Sequence, residues 1–463
     1  MKLRLLALVL LLPGAASAAE LTQRLPQEIC LSARSAASPD AQLLEFTRCL
    51  ATEQLTGHQR AMAYVARATL YAKKQDYQNA LADLTSAIGA DPTLAVAYAD
   101  RGSLYLTLKD PNSAIADFSQ ALKLDPTITE VYILRGRAYD DLGRFDEAIA
   151  DYTSVVNSEP RFKLVALQLR ALAYADKRDW SATIADCTAA LKLKDITSLY
   201  TLRAAAYENT GQYDKAAADF TTVVTRTPTD PLAYNNRATA YAGLKKQELV
   251  IADLSKAIEL SPNQPLFYEN RGFAYDETAD CKSAIDDFDK ALAINPDGIA
   301  YAGKAWVRST CPDGAYRNGA EALDLAIKAI QLGPGNAQLA AAAAPNFHMA
   351  LAAAYAEGGQ FNNAVVEQEL AIKLLPSDAT DEMKQRANLA LQAFKANKPF
   401  RWPAGTLVSS RGLEAPTAGF AAANQASALA ALRNGPLAFP LQIQLPPLPP
   451  PQQLLLLPKE LAP

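Results

Sequence analysis

Residues 95–128 read AVAYADRGSLYLTLKDPNSAIADFSQALKLDPTI, and the spacing of their apolar residues decides the fold. Tyr98, Gly102 and Tyr105 follow one another at helical intervals, and so do Ala114, Phe118 and Ala121. Each trio therefore shares one face of a short helix. Asp125-Pro126 ends the unit, because proline cannot continue the helix before it. Moved along the chain by 34 residues, the pattern returns several times in each direction. Self-similarity at such a period marks a stack of supersecondary units, none of which can bury its apolar face alone.

Seven copies fill residues 61–298. The first carries Tyr64, Ala68, Tyr71, Ala80, Leu84, Ala87 and Pro92, and the third Tyr132, Gly136, Tyr139, Ala148, Tyr152, Val155 and Pro160. The fourth is shifted by one residue, with Leu167, Ala171, Tyr174, Thr183, Cys187 and Ala190, and with Asp195 where proline is expected. The fifth, sixth and seventh are regular again, centred on Ala204 and Phe220, Ala238 and Leu254, and Gly272 and Phe288. The order aromatic, small, Tyr, Ala, aromatic, Ala, Pro resembles the tetratricopeptide repeat, with Tyr where that family often has Trp. The resemblance implies an all-α fold, a right-handed α-solenoid of helix hairpins whose first helices line a concave groove.

Two divergent units are expected over residues 299–376. One has a turn about four residues longer than the others, Thr310 to Gly319, followed by an alanine-rich connector, Gln338 to Ala344. Residues 377–401 should supply a capping helix, Asp381 to Ala396, with Met383, Ala387, Ala390, Leu391 and Phe394 inward. Asp381, Glu382, Lys384, Gln385 and Arg386 are expected on its wet face. Residues 402–463 turn rich in Gly, Ser, Ala and Pro, which reads as a disordered tail with polyproline character or a docking peptide.

The N-terminus has the form of an export signal. Lys2 and Arg4 precede the apolar run Leu5 to Leu12, and Ala16-Ser17-Ala18 is a cleavage motif. Residues 1–18 are thus expected to be removed after Ala18, placing the protein in the periplasm or outside the cell; a buried helix is the alternative. Residues 19–60 form a helical leader without the repeat. Export permits disulfides among the five cysteines. Cys30 and Cys49 flank Ser38-Pro39-Asp40 at similar distances and would face each other across a hairpin, so a bond is expected there. Cys187 takes the place of Phe118 and reads as core. Cys281 and Cys311 lie near the turns of neighbouring units, and their pairing is left open.

The most regular polar feature is an arginine and an aspartate sixteen residues apart: Arg67 and Asp83, Arg101 and Asp117, Arg135 and Asp151, Arg170 and Asp186, Arg203 and Asp219, Arg237 and Asp253, Arg271 and Asp287. Seven repetitions suit a structural ion pair inside each hairpin better than catalysis. The last two units have Ala305 and Leu351 near the arginine position, and the pair is expected to lapse there.

The resemblance places groove-facing side chains at positions two, five, nine, twelve and thirteen of each first helix. These include Glu130, Arg137, Asp140, Gln168, Thr201, Glu208, Asn235, Thr239, Glu269, Phe273 and Asp276, while Val65, Thr69, Val96, Ala99 and Ser103 offer a milder surface early on. Asn235, Asn236 and Asn270 lack the lysines of a carboxylate clamp.

The formal charge is −4, with no basic stripe to attract nucleic acid. His58 and His348 are the only histidines, and no phosphate loop, triad or zinc spacing is present, so neither cofactor, metal nor enzymatic activity is expected. No apolar run is long enough to span a membrane. A non-enzymatic scaffold of the cell envelope, holding a partner peptide or helix in its groove, is the expected function. A structural assembly or chaperone-like factor acting by self-association is the alternative.

Overall fold

A computed structural model describes residues 38–401 except 54, 159, 334–339, 377–378 and 380. The export signal, Cys30 and the tail from residue 402 lie outside the described residues. Among the described residues the fold is all-α, twenty helices joined by short turns, with no strand. They divide into two compact units at Lys177/Arg178.

The first unit holds α1 (Pro39–Leu50), α2 (Gly57–Lys73), α3 (Tyr77–Ala90), α4 (Ala95–Thr107), α5 (Pro111–Leu124), α6 (Thr129–Asp141), α7 (Phe145–Ser158) and α8 (Lys163–Asp176). Each hairpin turn is encoded locally. Asp76 and Asp110 cap α3 and α5 by accepting from Asn79 N and Ser113 N, which satisfies one of the donors a helix start leaves free. The residue opening the turn is left-handed: Gly143 at φ 70° before α7, but Gln75 and Lys109 before α3 and α5. Gly102 has a different task. A Cβ there would sit 2.7 Å from the Phe118 ring, so the small residue lets α4 and α5 close on each other. Ala99, Ala114, Phe118, Ala121, Val131 and Leu134 then form one cluster shared by α4, α5 and α6, so each hairpin completes its core on the next.

The second unit begins with α9 (Trp180–Leu193), α10 (Thr197–Asn209), α11 (Tyr213–Arg226), α12 (Pro231–Gly243), α13 (Gln247–Leu260), α14 (Pro265–Glu277) and α15 (Cys281–Ile294). It ends with α16 (Gly298–Thr310), α17 (Gly319–Leu332), α18 (Ala340–Glu357), α19 (Phe361–Leu374) and α20 (Asp381–Lys395). Up to α15 the packing repeats that of the first unit. Cys187 is a free, buried thiol in the core, as its place in the pattern suggests.

The geometry then changes. Alanine-rich α18 packs against α16 almost as extensively as α16 packs against its own partner α17, whereas successive first helices elsewhere touch only lightly. Ala302, Ala305, Ala343, Ala350 and Ala353 make this close approach possible. The connector expected up to Ala344 is helical from Ala340 instead, and Pro345 sits inside α18. Alanine's helix preference extends the helix across a proline that forfeits one backbone bond.

Cys281 and Cys311 are disulfide-bonded, with Cα atoms 6.2 Å apart, tying the start of α15 to the end of α16. The long turn after Cys311 is ordered by arginines. Arg317 Nη1 donates to Cys311 O (2.7 Å) and Pro312 O (2.9 Å), and Arg308 Nη1 donates to Tyr316 O (3.1 Å). In the first unit Cys49 is also disulfide-bonded and buried; Cys30, its expected partner, lies outside the described residues.

Helix α20 covers α19 and buries Met383, Ala387, Ala390 and Phe394. Arg386 departs from expectation. It is 3% exposed rather than on the wet face, with its guanidinium 4.8 Å from the Trp306 ring centre and 4.0 Å from Glu277. Helical period alone puts it outside; an aromatic ring and an acid on other helices draw it in. No helix among the described residues is long and apolar enough to cross a membrane.

Candidate functional site

Six of the seven arginine–aspartate pairs lie within one unit, and in each the arginine Nε and Nη2 donate to both carboxylate oxygens at 2.6–2.9 Å. This two-point geometry is the strong form of an ion pair. The carboxylates of Asp83, Asp117, Asp151, Asp219, Asp253 and Asp287 are buried, and the bond to the aspartate raises the pKa of Arg67, Arg101, Arg135, Arg203, Arg237 and Arg271. Arg170 and Asp186 fall in different units; within its own, Arg170 donates to Thr153 Oγ1 at 2.9 Å.

A second role of these arginines is invisible in the sixteen-residue spacing. Nη1 reaches back to a hydroxyl on the preceding hairpin: Arg67 to Thr47 (3.0 Å), Arg101 to Thr85 (3.3 Å), Arg135 to Ser119 (3.1 Å), Arg203 to Thr188 (3.1 Å) and Arg271 to Ser255 (2.9 Å). The guanidinium also lies 5.4–5.9 Å from flanking tyrosine rings, such as Tyr200 and Tyr207 around Arg203. Five of the six arginines thus rivet their own hairpin and stitch it to the helix before, while Arg237 supplies the rivet to Asp253. In the eighth hairpin the pair does not lapse. Lys304 takes the arginine position and bridges Asp289 (2.8 Å) on the preceding hairpin and Glu321 (3.2 Å) on its own. The longer turn shifts the acid along α17, which hides the pair from a fixed spacing.

The expected groove residues divide between the units. Glu130, Arg137, Asp140 and Gln168 belong to the first, and Thr201, Glu208, Asn235, Thr239, Glu269 and Phe273 to the second. Asp140 is not a free groove acid, since the buried Tyr152 hydroxyl donates to its Oδ2 at 2.6 Å. Thr239 Oγ1 bonds back to the Asn235 carbonyl at 3.1 Å, a local helix contact.

Position five behaves differently from the other groove positions. Val65, Ala99, Ile133, Gln168, Asn235, Glu269, Ala302 and Met349 occupy it in their hairpins, and all are buried; only Thr201 is half-buried. The position faces the neighbouring first helix, so Val65 and Ala99 are core rather than the mild surface expected of them. Against that apolar background the polar occupants stand out. Asn235 is 1% exposed; its Oδ1 accepts from Asn270 Nδ2 at 2.8 Å, while its Nδ2 has no hydrogen-bond partner among the described residues. Glu269 is 3% exposed; it shares a side-chain hydrogen bond with another acid, Asp297, while its Oε1 has no partner among the described residues.

Burial holds several acids on these first helices near neutrality. It pushes Glu208 and Glu269 up to about 8, and Asp100 and Asp276 up to about 7, with Asp297 adding to the shift of Glu269. Phe273 lies between Glu269 and Asp276 on α14 and packs edge-on against Phe288 at 5.0 Å. Among the described residues no cluster of three or more His, Cys, Asp or Glu has the arrangement to hold a metal ion.

Family models described as tetratricopeptide repeat match residues 61–94, 95–128, 129–162 and 201–265. No curated protein matches. Among solved structures, a tetratricopeptide repeat protein from Parabacteroides merdae is 20% identical over 51% of this chain and 93% of its own, with a TM-score of 0.39. The C-terminal part of a repeat protein from Cytophaga hutchinsonii is 19% identical over 51% and 98%, with a TM-score of 0.45. The first repeat domain of Spaghetti (RPAP3), bound to an HSP90 peptide, is 32% identical over 22% and 82%, with a TM-score of 0.22.

Proposed function

We propose that this chain, a tetratricopeptide repeat protein, is a non-enzymatic interaction scaffold of the cell envelope that holds a partner peptide or helix against the first helices of its second unit. One observation carries the choice of surface. Asn235 and Glu269 stand on successive first helices at a position that Val65, Ala99 and Ile133 fill with apolar groups and where Gln168 is the other buried polar residue; Asn235 Nδ2 and Glu269 Oε1 have no hydrogen-bond partner among the described residues, which costs stability unless a ligand satisfies them. Recognition by a groove of first helices is the mechanism, with half-buried Phe273, Glu208 and Thr201 as its contacts and the polar groups of Asn235 and Glu269 beneath them.

The envelope location rests on the signal-like residues 1–18 and on the Cys281–Cys311 disulfide, which oxidising compartments preserve. The experiment is in-cell photo-crosslinking from position 273, followed by mass spectrometry. The proposal expects crosslinks to one partner segment that disappear in Glu269→Ala and Asn235→Ala. Crosslinks unchanged by both substitutions would refute it, and crosslinks only between copies of this chain would replace it with self-assembly.

A further inference from the structure

We propose that the groove at the end of the second unit is occupied in cis: the chain's own segment beginning at Trp402 lies along the first helices α16 and α14, with its indole against Phe273. That a partner must displace this segment rests on the groove-binding function above; the seat itself does not.

The described end of the chain enters the groove. After α20, Asn397 takes a left-handed backbone at φ 55°, and Lys398 N donates to Ala393 O at 2.9 Å, which turns the chain back. Pro399, Phe400 and Arg401 are then half-buried. The Phe400 ring centre lies 6.1 Å from that of Trp306, at position nine of α16. Arg401 Nη1 donates to Ser309 O at 3.2 Å, in the last turn of α16, and its Nη2 lies 2.5 Å from Glu357 at the end of α18. A guanidinium suits that place, because the last carbonyls of a helix lack partners within it and carry partial negative charge. The path runs from α20 past α18 to α16, from later hairpins to earlier ones.

The next first helix in that direction is α14. Its position nine is Phe273, half-buried and lining the same cavity as Trp306. Pro403 biases Trp402 to extended backbone. In an extended chain residue 402 stands on the same side as Phe400 and roughly 7 Å further on. Packed helices lie about 8–10 Å apart, so one such step carries the indole from Trp306 toward Phe273.

Charge and attachment favour this occupant. Residues 402–413, WPAGTLVSSRGL, hold no acid and one arginine. Helix α14 carries Glu269, Asp276 and Glu277, so an acidic peptide would meet like charge there and this segment does not. With Arg401 seated, the residues that follow face the groove at an effective concentration on the order of 1 mM, against which a free peptide has to compete.

The test places p-benzoylphenylalanine at position 402 of the purified full chain, irradiates it in dilute solution and maps the crosslinked peptides by mass spectrometry. The expected crosslinks join position 402 to α14 or α16 within one copy. Arg401→Ala, which releases the chain from the ends of α16 and α18, should lower their yield at least threefold. Crosslinks confined to other parts of the chain, or a yield untouched by Arg401→Ala, would overturn the proposal. Crosslinks between two copies would put the segment of one in the groove of another and overturn the placement in cis. Partner capture from position 273 in cells without the cis crosslinks would strike this inference alone; cis crosslinks without partner capture would strike the groove function and leave the seat standing.

Discussion

Val65 in the first unit and Glu269 in the second occupy the same position of the same repeat, and both are buried. One is what a helix–helix contact asks for; the other is an acid whose pKa is raised to about 8 by its surroundings. The hairpin machinery is shared: paired arginine and aspartate, a small residue under an aromatic ring, and stacking on the next hairpin. The difference lies in what is placed on that machinery. In the first unit position five consolidates the stack through Val65, Ala99 and Ile133, and turns polar only in its last hairpin, at Gln168. In the second unit it carries Asn235 and Glu269 beside apolar Ala302 and Met349; Asn270 and Asp297 satisfy the two polar groups only in part, and a solenoid tolerates that because its stability is a sum over many neighbouring contacts.

The comparison breaks most sharply if the shared machinery is not shared. Asp117→Ala in the first unit and Asp287→Ala in the second should each cost about 3 kcal/mol or more, since each removes the buried carboxylate and strands a half-buried arginine. Denaturant unfolding of both variants, with double-mutant cycles on Arg101/Asp117 and Arg271/Asp287, checks this. A coupling energy near zero in either unit would deny the rivet there.

Reduction of Cys281–Cys311, which closes a span of 30 residues, should cost roughly 3–4 kcal/mol if constraint of the unfolded chain dominates. The Cys281→Ala/Cys311→Ala variant, compared with wild type in thermal unfolding, provides the measurement.

Next comes the reciprocal substitution. Val65→Asn should destabilise by about 2–4 kcal/mol, combining lost apolar burial with an unmatched amide. Asn235→Val should cost little or nothing, because Asn270 is half-buried and can turn to water. Equal losses in the two variants would erase the distinction between the units.

The smallest effect is on pH dependence. For an acid whose pKa is raised on folding, the native state holds more protons than the unfolded chain between the ordinary carboxylate range and the raised value, so stability falls as pH rises through that window. With Asp276 at about 7 and Glu208 and Glu269 at about 8, the melting temperature should decline between about pH 5 and pH 9. Glu269→Gln should flatten the upper part of the decline.

Much of this is legible in the residues alone. The period of 34, the glycine under Phe118 and the sixteen-residue spacing of Arg101 and Asp117 are local patterns, and helical geometry converts them directly into contacts. The site is less legible because its residues act between helices. Arg386 reads as solvent-facing on its own helix and is buried by Trp306 and Glu277 from two others. Lys304 escapes because the longer turn moves its acidic partner. A polar residue at position five, read against Val65, Ala99 and Ile133, is the available pointer to Asn235 and Glu269.

The account turns on whether the polar groups of the second unit serve the fold or something brought to it. Calorimetric unfolding of Glu269→Leu at about pH 8 decides this most directly. If Glu269 is there for a partner, the variant melts at or above the wild-type temperature, because it removes a carboxylate from an apolar contact next to Asp297. A variant that melts several degrees lower would show that Glu269 holds the solenoid together and would contradict the assignment of the second unit as the binding surface.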